Sequence, residues 1–547
     1  MSIAIQEISP HMWYTCIQQF ISHVGHPDNK VVDIIITILI KISCSHSRES
    51  LWNLAQLFLA NNDERRKCGN KILKQTVEQL SLLGLKEERD AFSSSKYLFQ
   101  DLIKHAQFQT NEKRCPLKFS RNVKFHDYIA PIRKTLTVNL NQSSSSSSSS
   151  RKSDHNPFPH SNDIRIAHFH ETTIVMNSKA KPKKIALETI SGDNLLYLCK
   201  QEKNGDLRKD ARLMEFTIVV NRMLQHDING RKRKLRLKTF SVVCLSEECG
   251  LLEWVPNTSP LRGLITEGYN VYPNIELPRF TSVRDHFCSL QLERISQYEK
   301  AKKFHHKFFK PQFKPCFHKW FLSNFTEPTA WFEARTSYTR SVGVWSAVGH
   351  VVGLGDRHCE NILIDTSSGE CVHVDFDCLF DKGIALARPE VVPFRLTSHM
   401  VEGMGVTGYE GIFRRVMEVT FNVLRENQET LISVLEPFLR DPTVGWDRQG
   451  RSAQTESSSR SRPTTTSSSE SIDPKSVLRT IRGRLRGVYN LRDSHAWGTK
   501  TKPKPPTGIT DDNTMEFSVQ GQVQRLIEEA TSDENLCQMY VGWMPWL

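Results

Sequence analysis

Residues Gly353 to Asp377 read GLGDRHCENILIDTSSGECVHVDFD. Asp356 is followed five residues later by Asn361. Ile362-Leu363-Ile364 and Val372-His373-Val374 predict two short strands, and Ser368-Gly369 supplies the turn between them. That hairpin delivers Asp375 beside Asn361. Phosphoryl transfer needs a carboxylate at the attacking hydroxyl and oxygen ligands that hold Mg²⁺ on the nucleotide phosphates. An Asp, an Asn and a second Asp at the end of a following strand supply that set. The competing reading of the same letters is an ordinary turn followed by a hairpin.

Protein kinases place an Asp, an Asn five residues on and a later Asp in this order. The local order here is reversed, because His358 follows Asp356-Arg357 where the common loop has His-Arg-Asp. This Gly-Asp-Arg-His-x-x-Asn arrangement resembles the phosphatidylinositol 3-kinase-related kinase family. The resemblance implies that Asp356 orients or deprotonates the substrate hydroxyl and that His358 stabilises charge on the transferring group. It assigns Asn361 and Asp375 to the metal. A purely structural hydrogen-bonding role for His358 stays open. The cofactors implied are ATP and Mg²⁺, with Mn²⁺ as an alternative ion.

Upstream, residues 184–190 and 195–200 predict a strand pair, turned by Ser191-Gly192-Asp193-Asn194. Lys200 ends the second strand, where it can reach the α- and β-phosphates as a point charge. Asp206-Leu207-Arg208-Lys209-Asp210 opens a helix and resembles the family's Asp-Leu-Arg-x-Asp motif, which makes Asp210 the partner of Lys200. Ser191 and Gly192 would form the phosphate-covering turn, although one glycine in a hairpin is a weak signal. By the same resemblance Glu253, Trp254 and Val255 form the adenine hinge. Backbone groups of Glu253 and Val255 would bond the base and Trp254 would pack on it.

The whole chain has 547 residues, a length that suggests about three to four domains. Residues 1–110 show the amphipathic pattern of packed helices, with Leu54, Leu57 and Leu59 in one segment and Ile72, Val77, Leu80, Leu83 and Leu85 in another. Residues 111–180, with the serine tract 143–150, read as a low-complexity linker. Residues 181–255 read as a small β-rich lobe with one helix, and 234–244 as a further strand. Residues 256–440 read as a mostly helical lobe. Residues 441–515 read as a mobile segment with a basic helix near 476–490, and 516–547 as a short helical end with Tyr540, Trp543 and Trp546. The expected class is α+β, a bilobal PI3K-like protein kinase fold preceded by an all-α helical-repeat segment and followed by a FATC segment.

The formal net charge is +13, which leans towards anionic partners without selecting one. The 13 cysteines contain no C-x-x-C pair, so neither a disulfide framework nor a zinc site is suggested, and a reducing compartment fits. The apolar run Val31 to Ile42 contains Asp33 and is shorter than the ~20 residues of a membrane span, so it reads as a buried helix.

KPKKI at 181–185, DLRKDARLMEF at 206–216, VPFRLT at 392–397 and LCQMYVGWMPWL at 536–547 are similar to the ATR-type checkpoint members of the family, with a fungal look at the last. Residues 1–110 resemble the end of a FAT region. The resemblance implies a nuclear enzyme of DNA-damage signalling that phosphorylates Ser or Thr followed by Gln. It also implies an ATRIP-type partner and indirect recruitment to single-stranded DNA. Family members carry a long helical solenoid ahead of this region, so the chain reads as a fragment or truncated gene model. The rivals are a phosphoinositide kinase and an inactive scaffold. Residues 375–397 carry four acids against three bases, too little positive charge to grip an inositol headgroup, which favours a protein substrate.

Overall fold

A computed structural model describes residues 2–131, 158, 164–178, 180–202, 206–270, 280–290, 298–386, 388–444, 473–490 and 514–547. The serine tract and most of 441–515 lie outside them. The chain divides into two units, 1–214 with 240–255 and 440–471, and 215–239 with 256–439 and 472–547.

In the first unit four longer helices, α1 (Asn29–Ser45), α2 (Ser47–Phe58), α3 (Asp63–Leu82) and α4 (Lys86–Gln107), follow short helical turns. Two of the four have side-chain caps at their starts. Asp28 caps α1 by accepting the Lys30 amide at 2.8 Å, and Asn62 caps α3 by accepting that of Arg65 at 3.0 Å. Asp63 and Glu64 in the first turn of α3 suit the positive end of its dipole. Ile38, Leu39, Ile42, Leu54, Leu57, Leu98 and Leu102 are fully buried, each worth about 1.5–3 kcal/mol of transfer free energy. The apolar run at 31–42 is therefore the core-facing helix expected, and no helix among the described residues is long and apolar enough to cross a membrane.

The same core continues into a sheet through Ile166, Phe169, Ile185, Leu187, Tyr197 and Leu251. Its strands are β1 (Arg114–Pro116), β2 (Ile166–Phe169), β3 (Thr172–Val175), β4 (Lys183–Thr189), β5 (Asn194–Gln201), β6 (Val242–Cys244) and β7 (Cys249–Glu253). Their order is β1-β3-β4-β5-β7-β6, and β2 pairs with the far half of β4. The linker expected over 111–180 is thus corrected at three places, since β1, β2 and β3 belong to this sheet. The strand expected over 234–244 shrinks to Val242–Cys244. Buried Lys183 seals the junction of helix and sheet by donating to Ala106 O at 2.8 Å and Phe108 O at 2.5 Å. It thereby caps the carbonyl end of α4.

The second unit is mainly helical. It holds a three-stranded sheet, β8 (Thr258–Pro260), β9 (Ile362–Asp365) and β10 (Cys371–His373), in the order β10-β9-β8. The hairpin read from sequence is present, with His373 opposite Ile362 and Cys371 opposite Ile364. Helix α5 (Pro328–Val351) runs into it, with Val344, Trp345, Ala347 and Val351 buried. Helices α6 (Ile412–Glu426), α7 (Pro474–Arg486) and α8 (Val519–Thr531) complete the part that concerns the site.

Candidate active site

The central loop starts where α5 stops. Gly353 adopts φ +59°. Its amide donates to His350 O at 3.2 Å, and that of Leu354 to Gly349 O at 2.9 Å. This pair of bonds is the Schellman closure of a helix, which needs a left-handed residue at Gly353. A Cβ there would also lie 2.5 Å from Asp381 Oδ1. The chain then runs beside the segment that follows Asp375. Gly355 N donates to Cys378 O at 2.8 Å, Phe380 N to Val352 O at 3.0 Å and Asp381 N to Gly353 O at 3.0 Å.

Asp356 and Asp375 are both left-handed, at φ +57° and +61°. Such a conformation in a non-glycine residue costs about 1–3 kcal/mol and persists only where surrounding bonds impose it. Those bonds are visible. The Asp356 amide donates to both carboxylate oxygens of Glu390, at 3.0 and 2.9 Å. Buried Arg357 donates to Gly355 O at 2.8 Å, Val374 O at 2.9 Å and Asp375 O. Asn361 Nδ2 donates to Asp356 O at 2.9 Å. Val374 N donates to Asn361 O at 3.1 Å, which sets Asn361 across the hairpin mouth from Val374, one residue before Asp375.

The Asn361 amide nitrogen is committed to Asp356, so Oδ1 is the atom it can offer to a ligand. Asp375 is exposed and can offer a carboxylate. Two hard oxygen donors of this kind fit Mg²⁺, which keeps much of its own water and needs few protein ligands.

His358 accepts the Glu360 amide on Nδ1 at 3.2 Å. The neutral ring therefore carries its proton on Nε2, which lies 4.0 Å from Asp356 Oδ2. Burial lowers the His358 pKa, and the Asp356 charge opposes this. Burial raises the Asp356 carboxyl, opposed by His358 and Arg357. Burial also pushes Glu390 up to about 7, with the hydrogen bond from Asp356 pulling the other way.

The remaining predicted residues lie in the first unit. Ser191 and Gly192 are exposed in the β4–β5 turn, with Gly192 at φ +88°. Ser191 Oγ donates to Asp193 Oδ2 at 2.7 Å. Lys200 lies on β5 opposite Gly250, and its Nζ is 2.5 Å from Glu202 Oε2. Asp210 is buried in the first turn of the helix Leu207–His226. Glu253 ends β7. Its amide donates to Ser241 O at 2.8 Å, so the carbonyl is the backbone group it can present to a base. Lys184 Nζ sits 4.1 Å from the centre of the Trp254 ring, a cation–π contact on one face. Val255 is buried.

Arg357, Glu390 and Glu202 are the residues missed from sequence. Arg357 was legible only as a letter inside the quoted loop. Glu390 registered only as one charge among seven.

Residues 198–448 match the phosphatidylinositol 3- and 4-kinase family. Residues 516–547 match the FATC domain. The segment 198–448 is thus similar to members of the phosphatidylinositol 3- and 4-kinase family. Residues 1–99 match the HEAT repeats of ATR-like serine/threonine-protein kinases, where the sequence suggested the end of a FAT region. The chain is 36% identical over 99% of its length to "Serine/threonine-protein kinase ATR" of Oryza sativa subsp. indica, covering 19% of that protein. It is 33% identical over 98% of its length to "Protein kinase rad3" of Schizosaccharomyces pombe, covering 21%. The chain thus spans about a fifth of these relatives. In fold it is similar to the open conformation of CtTel1, with a TM-score of 0.74 at 24% identity, covering 99% of this chain and 19% of the other. The α+β fold, with its helical start, kinase-like part and FATC end, is as expected.

Proposed function

We propose that this chain transfers the γ-phosphoryl group of ATP to Ser or Thr hydroxyls of proteins. What supports the reading is the bonding that joins the loop to the end of the hairpin: Asn361 Nδ2 donates to Asp356 O, Val374 N donates to Asn361 O, and Arg357 donates to Val374 O and Asp375 O. Asp356 orients the hydroxyl and receives its proton, while His358 Nε2–H faces charge developing on the transferring phosphoryl. Asn361 Oδ1 and the Asp375 carboxylate would hold Mg²⁺, or Mn²⁺ in its place. When bound, such an ion would neutralise phosphate charge. Lys200, with Asp210 as carboxylate partner, would serve the α- and β-phosphates. Ser191 and Gly192 would cover them, and Glu253, Trp254 and Val255 would hold adenine.

The relatives' names support a protein substrate, as does the balance of charge over 375–397. Ser or Thr followed by Gln, checkpoint signalling in the nucleus, an ATRIP-type partner and indirect single-stranded DNA recruitment are the finer parts of the reading. The test offers purified chain a Ser-Gln peptide and phosphatidylinositol side by side, with ATP and Mg²⁺. Peptide phosphorylation that vanishes in Asp375→Ala supports the proposal. Lipid phosphorylation alone, or equal turnover in Asp375→Ala, overturns it.

A further inference from the structure

On the first unit, beside the β4–β5 turn, two imidazoles and a carboxylate converge on the solvent face of the sheet. His168, His170 and Glu188 each bring one ligand atom within 4.8 Å of the other two. The backbone places them there for a specific reason. Ile166 and Phe169 are both buried, although they are three positions apart. A regular strand would put them on opposite faces. The register of β2 on β4 shifts between Ile166, opposite Thr189, and His168, opposite Glu188. The extra residue of that bulge restores both apolar side chains to the core. It also leaves His168 and His170 exposed, two residues apart, on the same side.

The neighbouring strand completes the surroundings. Glu188 is opposite Asn194 on β5, and His170 Nε2 lies 3.2 Å from Asn194 Oδ1. The His168 and His170 rings are nearly parallel, 27° apart, with centres 5.5 Å from one another. His168 Nε2 is already 3.8 Å from Glu188 Oε2. A tetrahedral Zn²⁺ with bonds of about 2.0–2.1 Å needs ligand atoms roughly 3.4 Å apart. Exposed side chains reach that by small rotamer adjustments and no backbone movement. Two imidazoles select a borderline transition ion over Mg²⁺ or Ca²⁺, which prefer all-oxygen sites.

We propose that His168, His170 and Glu188 form a three-ligand site for Zn²⁺ or a similar divalent transition ion, with water in the open position and Asn194 Oδ1 at its edge. The site spans both feet of the β4–β5 turn, because Glu188 precedes and Asn194 follows Ser191 and Gly192. An ion there would fasten β2 to β4 and stiffen that turn. Its bearing on phosphate covering rests on the kinase reading, but the site itself does not.

The test uses the full chain and Zn²⁺ alone, reading modification of each histidine by diethylpyrocarbonate through peptide mass spectrometry. Saturating Zn²⁺ is expected to slow modification of His168 and His170 roughly tenfold while Mg²⁺ does not, as a metal-bound nitrogen cannot react. Exposed His126 and His226 serve as internal controls. Glu188→Gln is expected to weaken the protection. Unchanged rates at His168 and His170 with Zn²⁺, protection equal to that of the control histidines, or full protection in Glu188→Gln would overturn the site. None of these readings depends on phosphoryl transfer, so failure here leaves the kinase proposal standing.

Discussion

Both carboxylate oxygens of Glu390 receive the backbone N–H of Asp356, at 3.0 and 2.9 Å. This side chain lies 34 residues downstream, yet it fixes the backbone at Asp356. The Glu390 amide in turn donates to Gly383 O at 2.9 Å. Glycines at 355 and 383 leave the room, since a Cβ at either would meet Glu390 Oε2 at 2.6 or 2.5 Å. The acid therefore acts as a positioning group that holds Asp356 in its left-handed conformation.

Glu390→Gln keeps the shape but replaces one acceptor oxygen with a donor that faces the Asp356 N–H. The misdirected loop is expected to lower kcat for peptide phosphorylation by roughly ten- to a hundredfold, because small misplacements of a reacting group are this costly. KM for ATP should change little, since no phosphate ligand is altered. Steady-state kinetics in both substrates check the split, and a change confined to KM would refute the positioning role.

The same acid gives a pH signature. Its folded pKa, raised to about 7, lies above the ordinary carboxyl value of 4.5. The folded chain then holds a proton that the unfolded chain has lost between those values. Stability from this group is complete below about 4.5 and is lost as pH rises through about 7. Thermal melts of wild type and Glu390→Gln from pH 5 to 8 are the measurement. Wild type should lose melting temperature relative to the variant as pH increases, and parallel curves would contradict the assignment.

Much of this centre was legible because its chemistry is local. The Asp356–Asn361 spacing, the two short strands and the Ser368-Gly369 turn all lie within one short stretch, and the register confirms the hairpin. Glu390 and the three-carbonyl grip of Arg357 were illegible, because their meaning depends on backbone atoms brought close by folding. The same limit explains β1, β2 and β3. They are strands of three or four residues, and β1 pairs with the distant β3, so periodicity had no length over which to register. Leu83 and Leu85 show the opposite error. They continued the apolar rhythm of α3, but Gly84 turns the chain at φ +73° and leaves both exposed.

Arg357 offers a third test. One buried guanidinium joins carbonyls before and after the hairpin, so it sets the approach of Asp375 to Asn361. Lysine carries the same charge but cannot present the planar fork. Arg357→Lys should destabilise the chain by about 2–4 kcal/mol, from lost bonds and carbonyls left unsatisfied in a buried site. It should also raise the Mg²⁺ concentration needed for half-maximal activity. Urea denaturation and a Mg²⁺ titration check the two parts separately. A variant with normal Mg²⁺ dependence would show that Asp375 is placed by other contacts.

The last test concerns the FATC segment. Arg395, at the end of the 375–397 stretch, is buried. It donates to Trp543 O at 2.6 Å and to Met544 O and Leu547 O at 2.7 Å each. Its guanidinium also stacks over the Trp543 ring at 4.2 Å. Met544 is left-handed at φ +56°, a conformation that aims its carbonyl at the same cation. Within this unit, Arg388 adds a bond to Gln538 O at 2.5 Å. The FATC end is thus held by backbone carbonyls on arginines of the loop after Asp375, and ordering of one is coupled to ordering of the other. Arg395→Ala would strand three carbonyls, at a cost of about 1–3 kcal/mol for each that water cannot reach. Hydrogen exchange should accelerate over 536–547 and over 388–397 together, while β9 and β10 stay protected. Acceleration in the FATC segment alone would show that the loop is held without it.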